Sequence, residues 1–174
     1  GFVVPQPQSR LQGEAEWSFY HALLRDVTYE SILRRERAAL HQTAAYWLES
    51  QAQRANRLDE FAGLLAQHWE RANRNDLAAQ WYVRAGEGAL AQGAPREART
   101  FMDCALGLLP PAETDLRWRA LAGRVEALDV LGERAAQGED VAALVTLARG
   151  LDDPQRLAEA LSPGVVDASP DCIA

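Results

Sequence analysis

The stretch LDEFAGLLAQHWERA, from Leu58 to Ala72, decides the fold class of this sequence. Its large apolar side chains recur at steps of three or four residues, at positions 58, 61, 65 and 69. This spacing places them on one face of an α-helix, with Asp59, Glu60 and Arg71 outside that face. The stretch therefore predicts an amphipathic helix that buries one side against its neighbours.

The same helical spacing recurs on both sides of this stretch. Upstream, two helices are expected, divided near Arg34, with apolar faces formed by Leu24, Val27 and Ile32 and by Leu40, Ala44, Trp47 and Leu48. Four downstream stripes consist of Leu77, Trp81, Ala85 and Ala89; Ala98, Met102, Ala105 and Leu109; Trp118, Leu121, Val125 and Leu128; and Val141, Leu144, Ala148 and Leu151.

Helix boundaries are indicated by residues that start or stop helices. Asn75 is expected to cap one helix, Gly93 to end it, and Pro95 to begin the next in its first turn. Between Leu58 and Pro111 the helices recur about every 19 residues with short loops, so neighbouring helices should run antiparallel. The predicted fold class is all-α, built from stacked antiparallel helical hairpins.

A degenerate tetratricopeptide pattern lies in the middle of the chain, where small and large residues alternate so that two helices can approach closely. The matching positions are Tyr82, Ala85, Gly86 and Ala89 in one helix and Ala98, Met102, Ala105 and Pro110 in the next. The aromatic residues expected at positions 89 and 102 are missing, and moving the frame one repeat downstream places Arg119 and Gly123 where apolar side chains should pack. We expect a tetratricopeptide-like superhelix, with a plain helical bundle as the alternative.

The two ends of the chain differ from this helical pattern. Residues 2–4 and 17–19 are apolar and separated by a polar segment, which predicts a short N-terminal β-hairpin. Residues 162–174 are rich in Pro, Gly, Ser and Asp, which predicts a flexible tail. The chain begins with Gly1 and its single methionine is Met102, so we expect a piece of a longer protein.

Composition excludes several function classes. The 174 residues carry 25 acidic and 18 basic side chains, for a net charge of −7, which opposes binding to nucleic acid or to anionic membranes. No apolar run approaches the roughly 20 residues of a membrane-spanning helix, so a cytoplasmic protein is expected. The chain contains no lysine and no phosphate loop, and Cys104 and Cys172 have no neighbours at metal or redox spacing. No enzyme activity, metal or cofactor is expected.

A family resemblance is carried by WSFYHALLRDVTYESILRR at residues 17–35, EFAGLLAQHWERA at 60–72 and AAQWYVRAG at 78–86. These stretches resemble the segment after the ATPase core in bacterial signal-transducing ATPases of the STAND class. Members of that class join a P-loop ATPase and a winged-helix element to a tetratricopeptide-like tail, some with an adenylate/guanylate cyclase domain. Related tails occur in bacterial transcription activators.

The resemblance spans roughly residues 16–161 and implies a domain organisation. Residues 1–33 would be the end of a winged-helix-like element, residues 34–161 the tetratricopeptide-like region, and residues 162–174 the tail. It implies a non-catalytic regulatory and protein-interaction module of a larger bacterial signal-transduction ATPase. The alternative is the helical domain of a transcription activator that senses a small-molecule inducer.

Histidines and charged residues give further candidates. By resemblance, His21 would be the winged-helix histidine that touches the diphosphate of ADP in the parent protein; otherwise it packs at a strand-to-helix junction. His41 and His68 are expected either to pack between helices or to be polar partners there. The basic cluster of Arg34, Arg35 and Arg37 is interpreted as a solvated helix start, with binding of phosphate or of an acidic partner surface as the alternative. Asp152 and Asp153 beside Pro154 are interpreted as a helix cap.

The expected partner-binding residues lie on one helix. In a tetratricopeptide superhelix the first helix of each hairpin faces the concave side, so Gln80, Val83, Arg84 and Glu87 are predicted to contact a partner. That partner would be another protein or the ATPase domain of the parent chain. The large aromatic residues are interpreted mainly as core, with a ligand groove as the alternative; they are Trp47, Trp69, Trp81, Tyr82 and Trp118. A third hypothesis, DNA binding by the first thirty residues, is opposed by the acidic balance.

Overall fold

The computed structural model describes residues 2–9, 11 and 13–162. Apart from Ser162, the predicted tail at residues 162–174 lies outside this part of the chain. The described elements are two strands and eight helices, in the order β1 (Val3–Pro5), β2 (Trp17–Phe19), α1 (Ala22–Ser31), α2 (Arg34–Arg54), α3 (Leu58–Arg71), α4 (Asn75–Ala91), α5 (Pro95–Leu108), α6 (Thr114–Leu131), α7 (Arg134–Gly150) and α8 (Pro154–Ala160).

The predicted N-terminal hairpin is confirmed. Strands β1 and β2 pair antiparallel, with Val3 opposite Phe19 and Pro5 opposite Trp17, so β1 begins one residue later than expected. Leu11, in the connection between the strands, packs in an apolar cluster with side chains of α2 and α3. The hairpin is thereby attached to the first pair of long helices.

The helices from α2 to α8 form the predicted all-α stack. Each helix packs against the next one along the chain, and α4 also contacts α6 directly. Connections of two to five residues join them, which is short enough to make neighbouring helices antiparallel. Helices α4 and α6 lie side by side, with α5 packed against both. Helices α2 and α8 share surface spaces with α4 and with α4 and α6, respectively, so the even-numbered helices form one side of the stack.

The repeat period of the stack is longer than that of the tetratricopeptide pattern. Helices α2, α4, α6 and α8 begin at Arg34, Asn75, Thr114 and Pro154. Each of these intervals exceeds the roughly 34 residues of a tetratricopeptide unit. This difference explains why the sequence pattern, which matches α4 and α5, loses its frame in α6.

Close approach of α4, α5 and α6 depends on glycine. The fully buried Met102 side chain of α5 lies against Gly86 of α4 and Gly123 of α6. A Cβ atom at Gly86 would lie 2.6 Å from Met102 Cε, and one at Gly123 would lie closer still. The small residues of the sequence pattern therefore make room for one large side chain shared by three helices.

The apolar stripes predicted for α3, α5 and α6 are buried, with only Leu58 at the start of the α3 stripe half-buried. In α2 the predicted face is only partly correct. Leu40 and Trp47 are 56% and 46% exposed, while Leu48 is buried together with Ala45 and Ala52. Helix α2 lies at the end of the stack with α3 as its main neighbour, so its buried face is narrow.

Two of the three predicted boundaries of α4 and α5 are confirmed. Gly93 follows α4 with φ of +70°, and Pro95 begins α5. Asn75 does not cap α4: it is the first helical residue, after Arg74, and no side chain caps the helix. The chain instead turns at Asn73, which has φ of +58°.

Among the described helices, none combines the length and apolarity needed to cross a bilayer.

Candidate interaction site on the even-numbered helices

The predicted partner-binding residues form a ridge along α4, with one exception. Gln80, Arg84 and Glu87 are spaced by four and three residues, so they share one face of the helix. Gln80 is exposed, and Arg84 and Glu87 are partly exposed. The prediction that Val83 is exposed with them is wrong: this side chain is fully buried in the core, because α6 packs directly on that side of α4.

Both charged residues of the ridge are held by ion pairs with neighbouring helices. Arg84 Nε donates to Asp59 Oδ1 of α3 at 2.7 Å, and its guanidinium lies 5.1 Å from the ring centre of Trp81. Glu87 accepts two hydrogen bonds from Arg119 of α6, at 2.9 and 2.8 Å. Such exposed pairs contribute roughly 0–1 kcal/mol each, so a partner can replace them at small cost.

On one side of the ridge, α2 and α4 enclose a depression of about 480 Å³, which we call the aromatic depression. The rings of Tyr46 and Trp69 meet edge to face, with centroids 4.8 Å apart. Gln80 and Arg84 line the same space. Aromatic surface combined with amide and guanidinium groups can hold a polar organic molecule through stacking and hydrogen bonds.

On the other side, α4, α6 and α8 enclose a groove of about 530 Å³, which we call the acidic groove. Its apolar lining consists of Leu90, Trp118, Ala122, Gly123, Val125, Leu144 and Ala160. Its charged lining consists of Glu87, Arg119, Glu126, Asp129 and Glu159. The ridge residues therefore line two different spaces. Gln80 and Arg84 line the aromatic depression, and Glu87 lines the acidic groove.

The large aromatic residues divide between core and surface. Trp69, Tyr82 and Trp118 are buried, which agrees with their interpretation as core, although Trp69 and Trp118 also line the two spaces. Trp81 is half-buried beside the ridge, and Trp47 is 46% exposed. Tyr82 donates a hydrogen bond to Glu70 at 2.7 Å, and burial together with this contact raises its pKa.

Of the two interpretations of His41 and His68, the structure shows the second, because the two side chains are polar partners between α2 and α3. Their Nδ1 atoms lie 3.0 Å apart, and His41 Nε2 lies 2.9 Å from the Tyr29 hydroxyl of α1. One imidazole must donate and the other accept in the first contact. Burial lowers the pKa of both histidines; Arg71 lowers both further, and His41 adds to the effect on His68.

His21 lies at the junction between β2 and α1, directly before the first helical residue. Its side chain is exposed and makes no capping hydrogen bond, and its ring contacts Tyr20 edge to face at 4.6 Å. Within the described residues no other aromatic contact of this ring is found. The structure thus places His21 at the expected junction with its imidazole accessible.

The remaining charged candidates have structural roles. Arg34 and Arg35 are exposed at the start of α2, as predicted, whereas Arg37 is half-buried with its guanidinium 5.0 Å from the Tyr29 ring centre. The cap prediction is confirmed for Asp153, whose carboxylate accepts the backbone N–H groups of Gln155 and Arg156 at the start of α8.

A buried ion pair between α6 and α7 is absent from the sequence-based predictions. Arg124 donates to both carboxylate oxygens of the buried Asp140, at 2.7 and 2.5 Å, and to Asp103 of α5 at 2.6 Å. One signal for it exists, because Asp140 stands four residues before Leu144 on the apolar stripe of α7. A carboxylate on such a stripe requires a partner.

Among residues 2–9, 11 and 13–162, no group of three or more His, Cys, Asp or Glu side chains is arranged to hold a metal ion.

Comparison with known proteins gives one partial match. No family model matches this chain, and no solved structure matches it. Over 99 residues, or 57% of the chain, it is 31% identical to an uncharacterized protein of Rhizobium meliloti (strain 1021). The match makes up 9% of that protein, so the chain spans only a small part of its relative's length.

Proposed function

We propose that this chain is a non-catalytic, tetratricopeptide-like regulatory and protein-interaction module of a larger bacterial signal-transduction ATPase of the STAND class, acting in the cytoplasm. One observation carries the interaction part of the proposal: α4 presents the amide of Gln80 and the ion-paired side chains of Arg84 and Glu87 between two open spaces. Because the present ion pairs are exposed and weak, a partner can replace them with its own charges at small cost. The parent class rests on the sequence resemblance. The much longer relative is consistent with a segment that belongs to a large polypeptide.

In this proposal, the partner is another protein or the ATPase domain of the parent chain. Gln80, Arg84 and Glu87 contact it, and Arg84 and Glu87 exchange their present ion pairs for new ones. Binding to only one of two states of the ATPase shifts the balance between them, because a ligand moves an equilibrium by its difference in affinity for the two states.

The proposed boundary at residue 33 is supported by burial. Helix α1 contributes no buried residue, whereas every later helix contributes at least one. Residues 1–33 would complete a winged-helix-like element together with other parts of the parent protein, and His21 would sense the nucleotide there. The exposed imidazole of His21 is compatible with that role.

The ATPase context is tested by reading the coding sequence upstream of the Gly1 codon. We expect an in-frame phosphate loop followed by a strand that ends in a Mg²⁺-binding carboxylate. A start codon immediately upstream would instead define a free-standing helical protein, and the nucleotide-sensing role of His21 would be abandoned.

Partner contact is tested by exchanging the charges of Glu87 and Arg119. Binding of the separately expressed ATPase domain should weaken about tenfold or more in Glu87→Arg. Helicity and melting temperature should change little, because the pair is exposed on both sides. In the double variant E87R/R119E the ion pair can form again. Binding should stay weak if Glu87 touches the partner, and recovery of binding in the double variant would remove Glu87 from the contact.

A second candidate function is favoured by the aromatic depression, namely recognition of a small-molecule inducer such as a sugar. Tyr46, Trp81 and Gln80 supply stacking surface and a hydrogen-bonding amide around the same space. Titration with a panel of sugars should then give a saturable change in tryptophan fluorescence that is lost in Trp81→Ala. The matched variant Trp17→Ala, in the hairpin, should retain it. Absence of any saturable change would exclude this candidate for the sugars tested.

A further inference from the structure

We infer that the acidic groove binds a basic peptide segment of a protein partner, in which arginine or lysine alternates with apolar side chains. This inference rests on the proposed interaction function and specifies the chemistry of one partner. It concerns a different space from the aromatic depression and depends on different residues from Gln80 and Arg84.

The size and the apolar lining of the groove are suited to a peptide. Its volume of about 530 Å³ lies within the range of known ligand sites. Leu90 of α4, Val125 of α6 and Ala160 of α8 give it an apolar lining contributed by three helices on one side of the stack. Apolar side chains of a bound segment would gain roughly 25 cal/mol for each Å² removed from water on this lining.

The charge of the groove selects a cationic occupant. Four carboxylates line it against a single guanidinium, that of Arg119, which Glu87 already neutralises. Asp129 is paired with Arg134. Within residues 13–162, the exposed carboxylates of Glu126 and Glu159 form no ion pair. These two carboxylates, on α6 and α8, are therefore available to a basic side chain lying across the groove.

Other occupants carry the wrong charge. A second copy of the chain has a net charge of −7, and nucleic acid is polyanionic. The segment that follows α8 in the sequence, residues 163–174, contains Asp167 and Asp171 and no basic residue. Like charges repel across such a site, so a basic segment from another polypeptide matches the groove best.

The experiment uses the whole chain and a fluorescein-labelled peptide of alternating leucine and arginine, with an alternating leucine and glutamate peptide as the charge control. Fluorescence anisotropy measures binding at low and at physiological ionic strength. We expect the arginine peptide to bind, more weakly as salt rises, and the glutamate peptide not to bind.

Specificity for the groove is tested with two double variants of equal charge. E126R/E159R reverses the two unpaired carboxylates, and E30R/E139R reverses two exposed carboxylates of α1 and α7 outside the groove. Each change raises the net charge from −7 to −3. The Kd for the arginine peptide should rise about tenfold or more in the first variant and less than about twofold in the second. Ala122→Trp, which fills the groove without changing charge, should also weaken binding.

Equal losses in the two double variants, or no binding of the arginine peptide to the unmodified chain, would overturn the inference. Binding of the ATPase domain to the unmodified chain and to Glu87→Arg separates this outcome from failure of the proposed function. If that domain binds in a Glu87-dependent way while the peptide does not bind, the groove inference alone is wrong. If the peptide binds in the groove and the domain does not bind, the groove inference holds and the proposed partner is wrong.

Discussion

The central helices and the N-terminal element use similar amphipathic sequences with opposite results. In α3 the predicted stripe is covered, and Trp69 is only 1% exposed. The face predicted for α1 has no fully buried residue: Val27 is 59% exposed, and Leu24 and Ile32 are only half-buried. Periodicity therefore identifies the side of a helix that favours burial, while the presence of a covering surface depends on the neighbours available to it.

This difference has a consequence for stability. Complete burial of a large apolar side chain contributes roughly 1.5–3 kcal/mol, and α3 has five buried residues while α1 has none. An isolated helix as short as α1 is marginal in water. We expect the stack from α2 to α8 to hold most of the free energy of folding, with α1 joined to it through polar contacts such as that between Tyr29 and His41.

The largest expected effect comes from comparing two tryptophans across the two regions. Trp69→Ala should lower the free energy of unfolding by about 3–5 kcal/mol, because it leaves a cavity in the core. Trp17→Ala, at a side chain that is 59% exposed in the hairpin, should change it by less than about 0.5 kcal/mol. Urea denaturation followed by circular dichroism measures both. Similar losses would show that the hairpin belongs to the same cooperative core.

An intermediate effect is expected at the buried ion pair inside the stack. Asp140→Ala should cost about 2 kcal/mol, since it leaves the half-buried guanidinium of Arg124 with a weaker set of partners. Asp103 binds the same guanidinium but is more exposed, so Asp103→Ala should cost less than about 1 kcal/mol. Thermal and urea unfolding of the two variants provide the test, and an equal cost would contradict the assigned importance of burial.

The smallest effect concerns pH at the contact between the two regions. The pKa values of His41 and His68 are lowered in the folded state from 6.5, so the folded protein holds these protons less tightly than the unfolded chain. Their contribution to stability is complete above about pH 6.5 and declines as the pH falls through the lowered values. His68→Gln should flatten this dependence of the urea midpoint between pH 7.5 and 5.5.

The matched control for this pH series is Gln67→Ala, at an exposed neutral side chain of α3 next to His68. This substitution removes no titratable group, so the slope of stability against pH should stay as it is in the unmodified chain. An unchanged slope in His68→Gln would refute the role assigned to the interhelical pair.

The sequence predicts local features of the fold better than features set by distant neighbours. The faces of α3, α5 and α6 follow from spacing alone. The prediction for Val83 is wrong because the covering helix, α6, follows α4 only after the whole of α5, and no pattern within α4 reveals it. The tetratricopeptide frame fails after α4 and α5 because each pair of helices in this chain is longer than the unit that the pattern describes.

The candidate site is predictable to a similar degree. Helical geometry is sufficient to place Gln80, Arg84 and Glu87 on one face. The ion-pair partners Asp59 and Arg119 are 25 and 32 residues away from Arg84 and Glu87. Their pairing depends on how the helices pack, so the sequence alone leaves them unassigned. The division of the ridge between two spaces has the same origin, because each space is closed by a different neighbouring helix.

Native-state amide hydrogen exchange tests most directly whether the helical stack is stable by itself while the N-terminal element opens locally. We expect the amides of α4, which contacts α3, α5 and α6, to exchange only through global unfolding. The amides of α1 should exchange about a hundredfold faster or more, through local opening. Equal protection of α1 and α4 would contradict the division of the molecule into these two regions.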